Sequence, residues 1–172
     1  MTGAALTSAA GAHSAEPGFD TSSLRAAFGR FATGVAFVTA EVGGSPLGLI
    51  VSSFASVSLE PPLVSFCPAR SSLTWRRMRT SGRFSVNVLG SRHGGFARRA
   101  AHPGADRFAD AGAVLRDAVA VIDCEIEAEH VAGDHWIVVG RVSRLHVSAV
   151  RDPLVYFAGS FGAFHTFEQE TP

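Results

Sequence analysis

The sequence has little of what marks several large classes of protein. Its 172 residues include only two cysteines, Cys67 and Cys124, too few for the disulfide framework of a small secreted domain. Charged residues make up 17%, with 15 basic against 15 acidic side chains, so nothing attracts nucleic acid or an anionic membrane in general. No apolar run approaches the roughly 20 residues that span a bilayer. We therefore expect a cytoplasmic protein that binds neither nucleic acid nor membrane.

The common nucleotide-binding and catalytic motifs are missing too. The sequence contains neither G-x-G-x-x-G nor G-x-x-x-x-G-K-[ST], the fingerprints of the Rossmann fold and the P-loop. Its cysteines and seven histidines lack the spacing of a zinc site. No G-x-S-x-G nucleophile elbow is present. These absences predict no metal site, no dedicated dinucleotide domain and no serine-hydrolase triad.

Apolar, β-rich patterning is what the sequence does have. Hydrophobic residues make up 47%, with 13 Phe against a single Tyr, enough for the dry core of one domain. Short apolar runs predict strands over residues 35–41, 46–54, 55–59, 63–67, 83–89, 120–131, 135–148 and 152–159. A first helix is predicted to begin at the capping residues Thr21–Ser23 and to end at Gly34. Two more helices are predicted over 73–82 and 91–101, followed by a loop over 102–113. Residues 1–20 are predicted to be a disordered tail ahead of one domain over 21–167.

The order of these elements favours an antiparallel barrel. Strands and helices do not alternate regularly, which disfavours a doubly wound sheet; a closed antiparallel barrel with a few short peripheral helices fits better. The clearest alternation lies in residues 120–131. It predicts that Ile122, Cys124, Ile126 and Ala128 face inward and that Asp123, Glu125, Glu127 and Glu129 form a solvated outer face.

Two segments rich in serine are candidates for a binding site. Ser52-Ser53 ends a strand that has a buried pattern, and Arg70-Ser71-Ser72-x-Thr74 precedes or opens a helix. Hydroxyls and unpaired N–H groups at such a junction favour a phosphate, with Arg70 adding charge. An ordinary helix cap with a solvent-facing arginine is the alternative, and the residues alone favour it.

A histidine and a group of arginines are further candidates for a functional role, but each also has a simpler structural explanation. Gly133-Asp134 is an ordinary hairpin turn, but the next residue, His135, carries an imidazole that can donate a proton near neutral pH. A lone histidine is more often structural. The arginines at 76, 77 and 79 form a solvated helix face by default, with a contact to a dinucleotide phosphate as the alternative.

Taken in order, the motifs resemble one known family. The stretches are LRAAFGRFATGVAFVTA, GLIVSSFASVSLEPPLVSFC, RSSLTW, SGRFSVNVL, GDHWIVVGRV and DPLVYFAGSFG. Together they resemble the short-chain flavin reductases, which supply reduced flavin to two-component monooxygenases. Each motif is weak alone, but their ordered run from about residue 23 to residue 165 is specific.

The resemblance implies a fold, a function and a site. The implied fold is a mainly β, FMN-binding split β-barrel, antiparallel and Greek-key-like, in a homodimer. The implied reaction moves a hydride from NAD(P)H to FMN or FAD, and a separate monooxygenase takes up the reduced flavin. The implied flavin contacts are Val51, Ser52 and Ser53 at the ring edge and ribityl chain, and Cys67, Arg70, Ser71, Ser72 and Thr74 at the phosphate. His135 is the implied catalytic residue, near the nicotinamide or flavin ring.

Some roles stay open within the resemblance. Tyr156, Phe157 and Phe161 either line the site or pack in the core. Asn87 touches the flavin or braces the loop. Ile50 stands where many relatives carry Thr, and Phe161 where Tyr is common, so the choice between FMN and FAD is not determined.

Two other functions remain as alternatives. One is a split-barrel FMN carrier or electron-transfer protein without NAD(P)H turnover. The other is an FMN oxidase of the pyridoxamine-phosphate type. The Gly133-Asp134-His135 segment and the lack of a basic cluster for a substrate phosphate favour the reductase.

Overall fold

The computed structural model describes residues 18–102, 104–109, 111–149 and 152–166; most of the predicted tail lies outside these ranges. The helices are α1 (Thr21–Phe28), α2 (Leu73–Met78), α3 (Gly94–Ala100) and α4 (Ala111–Arg116), with 3-10 turns at Arg79–Ser81 and Ser91–His93. The strands are β1 (Thr33–Gly34), β2 (Ala36–Val42), β3 (Ser45–Val51), β4 (Ala55–Leu59), β5 (Pro62–Phe66), β6 (Arg83–Val88), β7 (Ala120–Ala132), β8 (His135–Val147), β9 (Leu154–Phe157) and β10 (Ser160–Ala163). In the described part of the chain, every helix is too short or too polar to cross a membrane.

The strands form a barrel that is open on one side. Seven of them pair antiparallel in the order β3-β2-β6-β7-β8-β5-β4, and β1, β9 and β10 form a smaller sheet. Helix α2 follows β5 in the chain yet packs against β2 and β3, at the other end of the strand order. The large sheet must therefore curl around α2. Its two edges, β3 and β4, are consecutive in the chain and leave a gap, which confirms the antiparallel split barrel.

An interior cluster fills the barrel with apolar side chains from the inward-facing strand positions and from α2. The aromatic rings pack edge to face: Phe66 lies 5.1 Å from both Trp75 and Phe84, centroid to centroid. Gly140 is required here because a Cβ at this position would overlap the Phe84 ring. The buried members of the interior cluster are Ala36, Val38, Val51, Val64, Phe66, Trp75, Met78, Phe84, Val86, Cys124 and Val138.

A second cluster lies on the outer face of the sheet, under α3 and α4. It is centred on the fully buried Phe37, whose ring meets Phe96 at 5.1 Å and Phe108 at 5.5 Å. Beside it, Asn87 is buried and its Nδ2 donates to the Phe37 carbonyl at 2.9 Å and to Thr39 Oγ1 at 3.2 Å. Asn87 thus braces strand β2 inside the sheet.

Helix α1 differs from the prediction at both ends. Its N-cap is Asp20, whose carboxylate accepts the Ser23 N–H at 2.7 Å. The hydrogen bond from the Ser22 hydroxyl, together with this bond and the one from the Ser23 hydroxyl, lowers the pKa of Asp20 to about 2. The helix stops at Phe28, well before Gly34, and the Gly29 carbonyl accepts the Ala158 N–H at 2.8 Å from the β9–β10 turn. The early end of the helix coincides with this contact to the β9–β10 turn, which the sequence around α1 does not reveal.

Three short elements were not predicted, the first being β1, which lies at the end of the predicted first helix. Helix α4 begins inside the predicted loop over 102–113, and β10 makes a hairpin with β9 where a single strand was expected. The hairpin turn holds Ala158 at φ 47° and Gly159 at φ 81°. Both angles lie in the left-handed region, which suits a two-residue hairpin but is unusual for alanine. Because alanine is unusual in this conformation, its presence in the sequence did not indicate a turn.

The alternation of β7 breaks near its end. The ladder with β8 shifts register between Ile126 and Ala128, and a bulge of this kind changes which face later residues occupy. Glu129 therefore does not belong to the predicted solvated face. Its carboxylate accepts the Trp75 indole N–H at 3.0 Å and pairs with Arg79 at 2.6 Å.

Candidate functional site

The gap in the barrel is bridged by the short connection from β3 to β4. Val51 ends β3 with its side chain in the interior cluster, so only its backbone groups are left for a ligand. Ser52 and Ser53 follow and are exposed. Because the ladder stops on both sides of this connection, the polar groups of Ser52 and Ser53 lie at an open edge.

The second serine-rich segment meets the first at this opening. Ala55 pairs with Ser65, so the chain before β4 and the chain after β5 lie at the same end of the barrel. Ser53 Oγ accepts the Cys67 N–H at 2.9 Å, which ties the two segments together. The structure therefore brings residues 51–53 next to the start of the Arg70–Thr74 loop.

The Gly133–His135 segment joins them. Ala69 forms an antiparallel bridge with His135, and the Arg70 N–H donates to the Asp134 carbonyl at 2.9 Å. The Arg70 guanidinium also donates to the Gly133 carbonyl at 3.2 Å. Three segments that are far apart in sequence thus meet at one end of the barrel.

The hydroxyls of the Arg70–Thr74 loop divide into different roles. Ser72 Oγ accepts the Trp75 N–H at 3.1 Å, so the cap interpretation is correct for Ser72. Ser71 is exposed and Thr74 is half-buried. Since α2 has only six residues, its dipole contributes little. A phosphate at this loop would depend on the loop's hydroxyls, its N–H groups and Arg70.

His135 is oriented by its neighbour Asp134. The imidazole Nδ1 lies 2.7 Å from the Asp134 carboxylate, and the same hydrogen bond lowers the pKa of Asp134. An ionised carboxylate can only accept, so Nδ1 carries the hydrogen and donates. The other ring nitrogen, Nε2, is then left for a ligand, on a side chain that is 46% exposed.

Two cavities adjoin the opening. We call the first the loop cavity; it measures about 570 Å³ and is lined by Ala69, Arg70, Ser71, Arg76, Arg79, Asp134 and Trp136. We call the second the helix cavity; it measures about 620 Å³ and lies between α1, the β9–β10 turn and the β3 end. Ser71 lines the loop cavity and Ser52 lines the helix cavity. The two serine segments therefore each border open space suited to a ligand.

The three aromatic residues that were predicted to line the site or to pack in the core do not all take the same role. Tyr156 lines the helix cavity. The Phe161 ring lies 5.3 Å from Tyr156 and packs against the second cluster, which agrees with the core-packing alternative. Phe157 is 44% exposed.

The two thiols are neutral at ordinary pH. Burial raises the pKa of Cys67 above its usual value, and burial with the Asp123 charge raises that of Cys124 to about 12. At Cys67 the backbone N–H is the group bound at the opening. In the described ranges no group of three or more His, Cys, Asp and Glu side chains is arranged to hold a metal ion.

Sequence reasoning missed the wall of the loop cavity. Arg76 and Arg79 were predicted to lie on a solvated face by default, with a contact to a dinucleotide phosphate as the alternative; Arg76 is exposed, and both line this cavity. The Arg79 guanidinium lies 5.0 Å from the centre of the Trp136 ring. The three-residue spacing of the arginines was a usable signal, since such residues share a helix face. Nothing in the sequence marked Glu129 as the partner of Arg79.

Comparison with known proteins gives a consistent result. Residues 28–165 match the family model of the flavin reductase like domain. A flavin reductase of Pseudomonas putida is 40% identical over 150 residues, which cover 82% of this chain and 88% of that protein. The reductase subunit HsaB of a flavin-dependent monooxygenase from Rhodococcus jostii is 38% identical, covering 83% and 77%. The solved NADH:FAD oxidoreductase SgcE6 of Streptomyces globisporus superposes with a TM-score of 0.78 at 32% identity, covering 91% and 99%.

Proposed function

The chain belongs to the flavin reductase family, and from this premise we propose that the opening between β3 and β4 is its flavin site. The protein is an NAD(P)H-dependent flavin reductase that supplies reduced flavin to a partner monooxygenase. The comparisons favour this function over a flavin carrier or a pyridoxamine-phosphate-type oxidase. The choice of flavin, the choice of nicotinamide and the site residues are proposals.

The observation that carries the site is the meeting of three segments at the opening. Ser53 is tied to Cys67, and Ala69 is bridged to His135. No carboxylate of the described residues forms an ion pair with Arg70. Exposed hydroxyls and an unpaired guanidinium beside an open cavity match the donors that a phosphate requires. The residues present therefore fit the phosphate of FMN or FAD.

We assign the two ends of the flavin from this arrangement. Arg70, Ser71, Ser72 and Thr74 would hold the phosphate. The backbone of Val51 with Ser52 and Ser53 would meet the ribityl chain and ring edge, toward the helix cavity. Bound flavin supplies a ring that accepts a hydride from the nicotinamide, and the protein supplies binding, orientation and electrostatics. The Cys67 N–H is used by Ser53, so Cys67 would contribute by holding Ser53 in place and by its neutral thiol.

His135 is assigned the catalytic role at this site. Its Nδ1–H is held by Asp134, which would leave Nε2 for a ligand bound beside the cavities, since His135 itself is not among the residues that line either one. A hydrogen bond from a protonated Nε2 would stabilise negative charge that develops on a bound ring. The residue moves no hydride, which is consistent with the lack of a nucleophilic triad.

A homodimer is also proposed. Phe28 and Phe31, at the end of α1 and just beyond, are 72% and 77% exposed, and both line the helix cavity. On the edge strand β4, Leu59 is 92% exposed. Large apolar side chains exposed together mark an interaction surface. We expect sedimentation at the mass of two chains, and at one chain after Phe28→Asp with Phe31→Asp.

The test of function is oxidation of NADH and of NADPH with FMN, FAD or riboflavin added. We expect oxidation that depends on flavin, and no activity in any combination would overturn the reductase. The site is tested by Ser71→Asp, which places a charge beside the proposed phosphate. It should weaken FMN binding about tenfold and leave riboflavin unchanged. Ser56→Asp, on the exposed face of β4, is the matched control.

A further inference from the structure

His93 is a buried histidine that the proposed flavin site does not use. It is 8% exposed and ends the 3-10 turn Ser91–His93. A small cavity of about 110 Å³ adjoins the turn, and we call it the turn cavity. It is lined by Gly90, Ser91, Arg92, His93, Asp117 and Asp152. A titratable ring is therefore buried among charged side chains at a place away from the proposed chemistry.

The hydrogen bond that His93 makes determines its protonation state. The Gly90 backbone N–H donates to His93 Nδ1 at 3.0 Å. Because a backbone N–H can only donate, Nδ1 must accept and carries no hydrogen, so the hydrogen of the neutral ring is on Nε2. An imidazolium has a hydrogen on both nitrogens and cannot accept this bond. Protonation of His93 must therefore break its bond to Gly90.

The turn held by this bond joins the two sheets. The Leu89 carbonyl accepts the Leu154 N–H at 2.8 Å, and Gly90 forms an antiparallel bridge with Pro153. Both contacts connect the segment after β6, in the large sheet, to the start of β9, the central strand of the small sheet. Tyr156, on the same strand, lines the helix cavity. The Gly90 turn thus couples the small sheet and one wall of the helix cavity to the barrel.

The turn cavity offers other partners to a protonated ring. Asp117, after α4, and Asp152, before β9, are exposed and line this cavity together with His93. The Asp117 charge favours the imidazolium, and the charge of Arg92, on the turn itself, opposes it. These three are the charged side chains that line the cavity with His93 among the described residues. The ring can be neutral and bonded to Gly90, or charged and directed at the carboxylates, but not both.

We propose that His93 is a pH-sensitive switch between the two sheets. The neutral ring holds the Gly90 turn against β9; the protonated ring releases Gly90 and turns toward Asp117 and Asp152. A charge change at a histidine is a general way to bias an element that has two states. Release loosens β9, so acid should destabilise the protein and weaken flavin binding at the helix cavity. Only this last consequence rests on the proposed flavin site.

The direction of the pH dependence follows from burial. Burial lowers the pKa of His93 below its usual value, against the opposing effect of Asp117, so the unfolded chain takes up the proton first. A histidine whose pKa is lowered by folding contributes stability above its ordinary value of about 6.5. This contribution is lost as pH falls from there through the folded value. The loss should therefore begin at about pH 6.5 and grow toward lower pH.

The test is urea unfolding of the whole chain at about pH 7.5 and about pH 5. The variant is His93→Gln, whose amide oxygen can accept the Gly90 N–H and which gains no proton in this range. The folding constant of the wild type should fall about tenfold more than that of His93→Gln, as expected for one lost buried hydrogen bond. His146→Gln, at an exposed histidine of β8, is the control and should follow the wild type. An equal acid loss in His93→Gln and the wild type would overturn the switch.

Two further measurements decide if His93→Gln does not fold. Asp117→Asn retains the histidine and removes a charge that favours its protonation, so the acid loss should move to lower pH. In the wild type, NMR should show the ring hydrogen on Nε2 at neutral pH and a Gly90 amide resonance that shifts as His93 titrates. A Gly90 resonance that does not follow the ring would contradict the proposal.

The flavin consequence has its own measurement, so its failure is distinct. The probe is riboflavin, which has no phosphate to titrate, and its dissociation constant is measured by fluorescence quenching at both pH values. In acid it should rise about threefold more in the wild type than in His93→Gln, because fewer molecules keep β9 in place. If the unfolding result holds while riboflavin affinity changes equally in both proteins, the switch stands and the flavin ring does not lie beside Tyr156.

Discussion

The closed middle of the barrel and its open end are built on the same pair of strands. Where β5 meets β8, Phe66 pairs with Val138, and both side chains are 0% exposed. Three residues beyond the end of β5, Ala69 forms an isolated bridge with His135 at the start of β8, and the His135 side chain is 46% exposed. Backbone pairing therefore reaches one side of the opening, at Ala69 and His135, whereas the β3–β4 connection on the other side lies beyond the ladder.

The two regions differ in what their side chains do. In the middle, apolar side chains interlock, so a change of one methyl group must be absorbed by its neighbours. At the open end, polar side chains hold neighbouring backbone in place, as Ser53 Oγ does by accepting the Cys67 N–H, and the serine O–H remains as a donor. Substitutions in the middle should therefore alter stability, and those at the open end should alter binding and rate.

The largest effect is expected for Gly140→Ala in the middle of the barrel. The added Cβ would overlap the Phe84 ring and approach the Cys124 Cβ to 3.1 Å, and neither neighbour has room to move. Overpacking of this kind costs about 3 kcal/mol. Urea unfolding measures the loss. Gly162→Ala in β10 is the control, because nothing lies within 4 Å of its Cβ position; equal losses in the two variants would contradict this account.

Glu129→Ala removes a carboxylate that links the two regions, because Glu129 contacts both Trp75 in the interior cluster and Arg79 at the loop cavity. It leaves the buried Trp75 indole N–H without an acceptor and Arg79 without its carboxylate. An unsatisfied buried donor costs about 2 kcal/mol of unfolding free energy. Glu129→Gln retains an acceptor and should lose about half as much in the same urea experiment. Glu127→Ala is the control, since the Glu127 pair with Arg141 is exposed and contributes little.

His135→Ala should change rate rather than stability. Loss of the imidazole removes a donor from the proposed ring site, and we expect kcat for NADH oxidation to fall about tenfold, equivalent to about 1.4 kcal/mol. Flavin affinity should change less than twofold. His146→Ala, an exposed histidine far along β8, is the control. An unchanged kcat would remove His135 from the mechanism.

The sequence was informative where local pattern decides structure. Residues 135–148 were predicted within one residue of β8 because an apolar run follows the Gly133-Asp134 turn there. A serine cap in the Arg70–Thr74 segment was predicted from the residues alone, and Ser72 fills this role through a contact only three residues ahead. The meeting of Ser53, Arg70 and His135 was predicted from the ordered family motifs. Periodicity alone does not place separate loops together.

What the sequence did not predict depends on contacts between distant elements. Helix α1 stops early where the Gly29 carbonyl binds the β9–β10 turn. Glu129 leaves the solvated face because a bulge shifts the ladder at Ile126. Neither event has a marker within a few residues. The loop cavity was missed for the same reason, since its arginines are recognisable only once Trp136 is seen beside them.

The smallest expected effect is a difference in reactivity between the two thiols, one of which lies in each region. Cys124 lies in the interior cluster with a pKa of about 12, and Cys67 lies half-buried at the opening with its pKa raised by burial. Since the thiolate is the reactive form, native protein should react slowly with iodoacetamide at pH 7. Alkylation of Cys67 should accelerate as pH rises and slow when FMN is bound. Cys124 should react only after unfolding. Mass spectrometry of the alkylated peptides measures both sites, and modification of native Cys124 ahead of Cys67 would contradict the assignment of the closed and open regions.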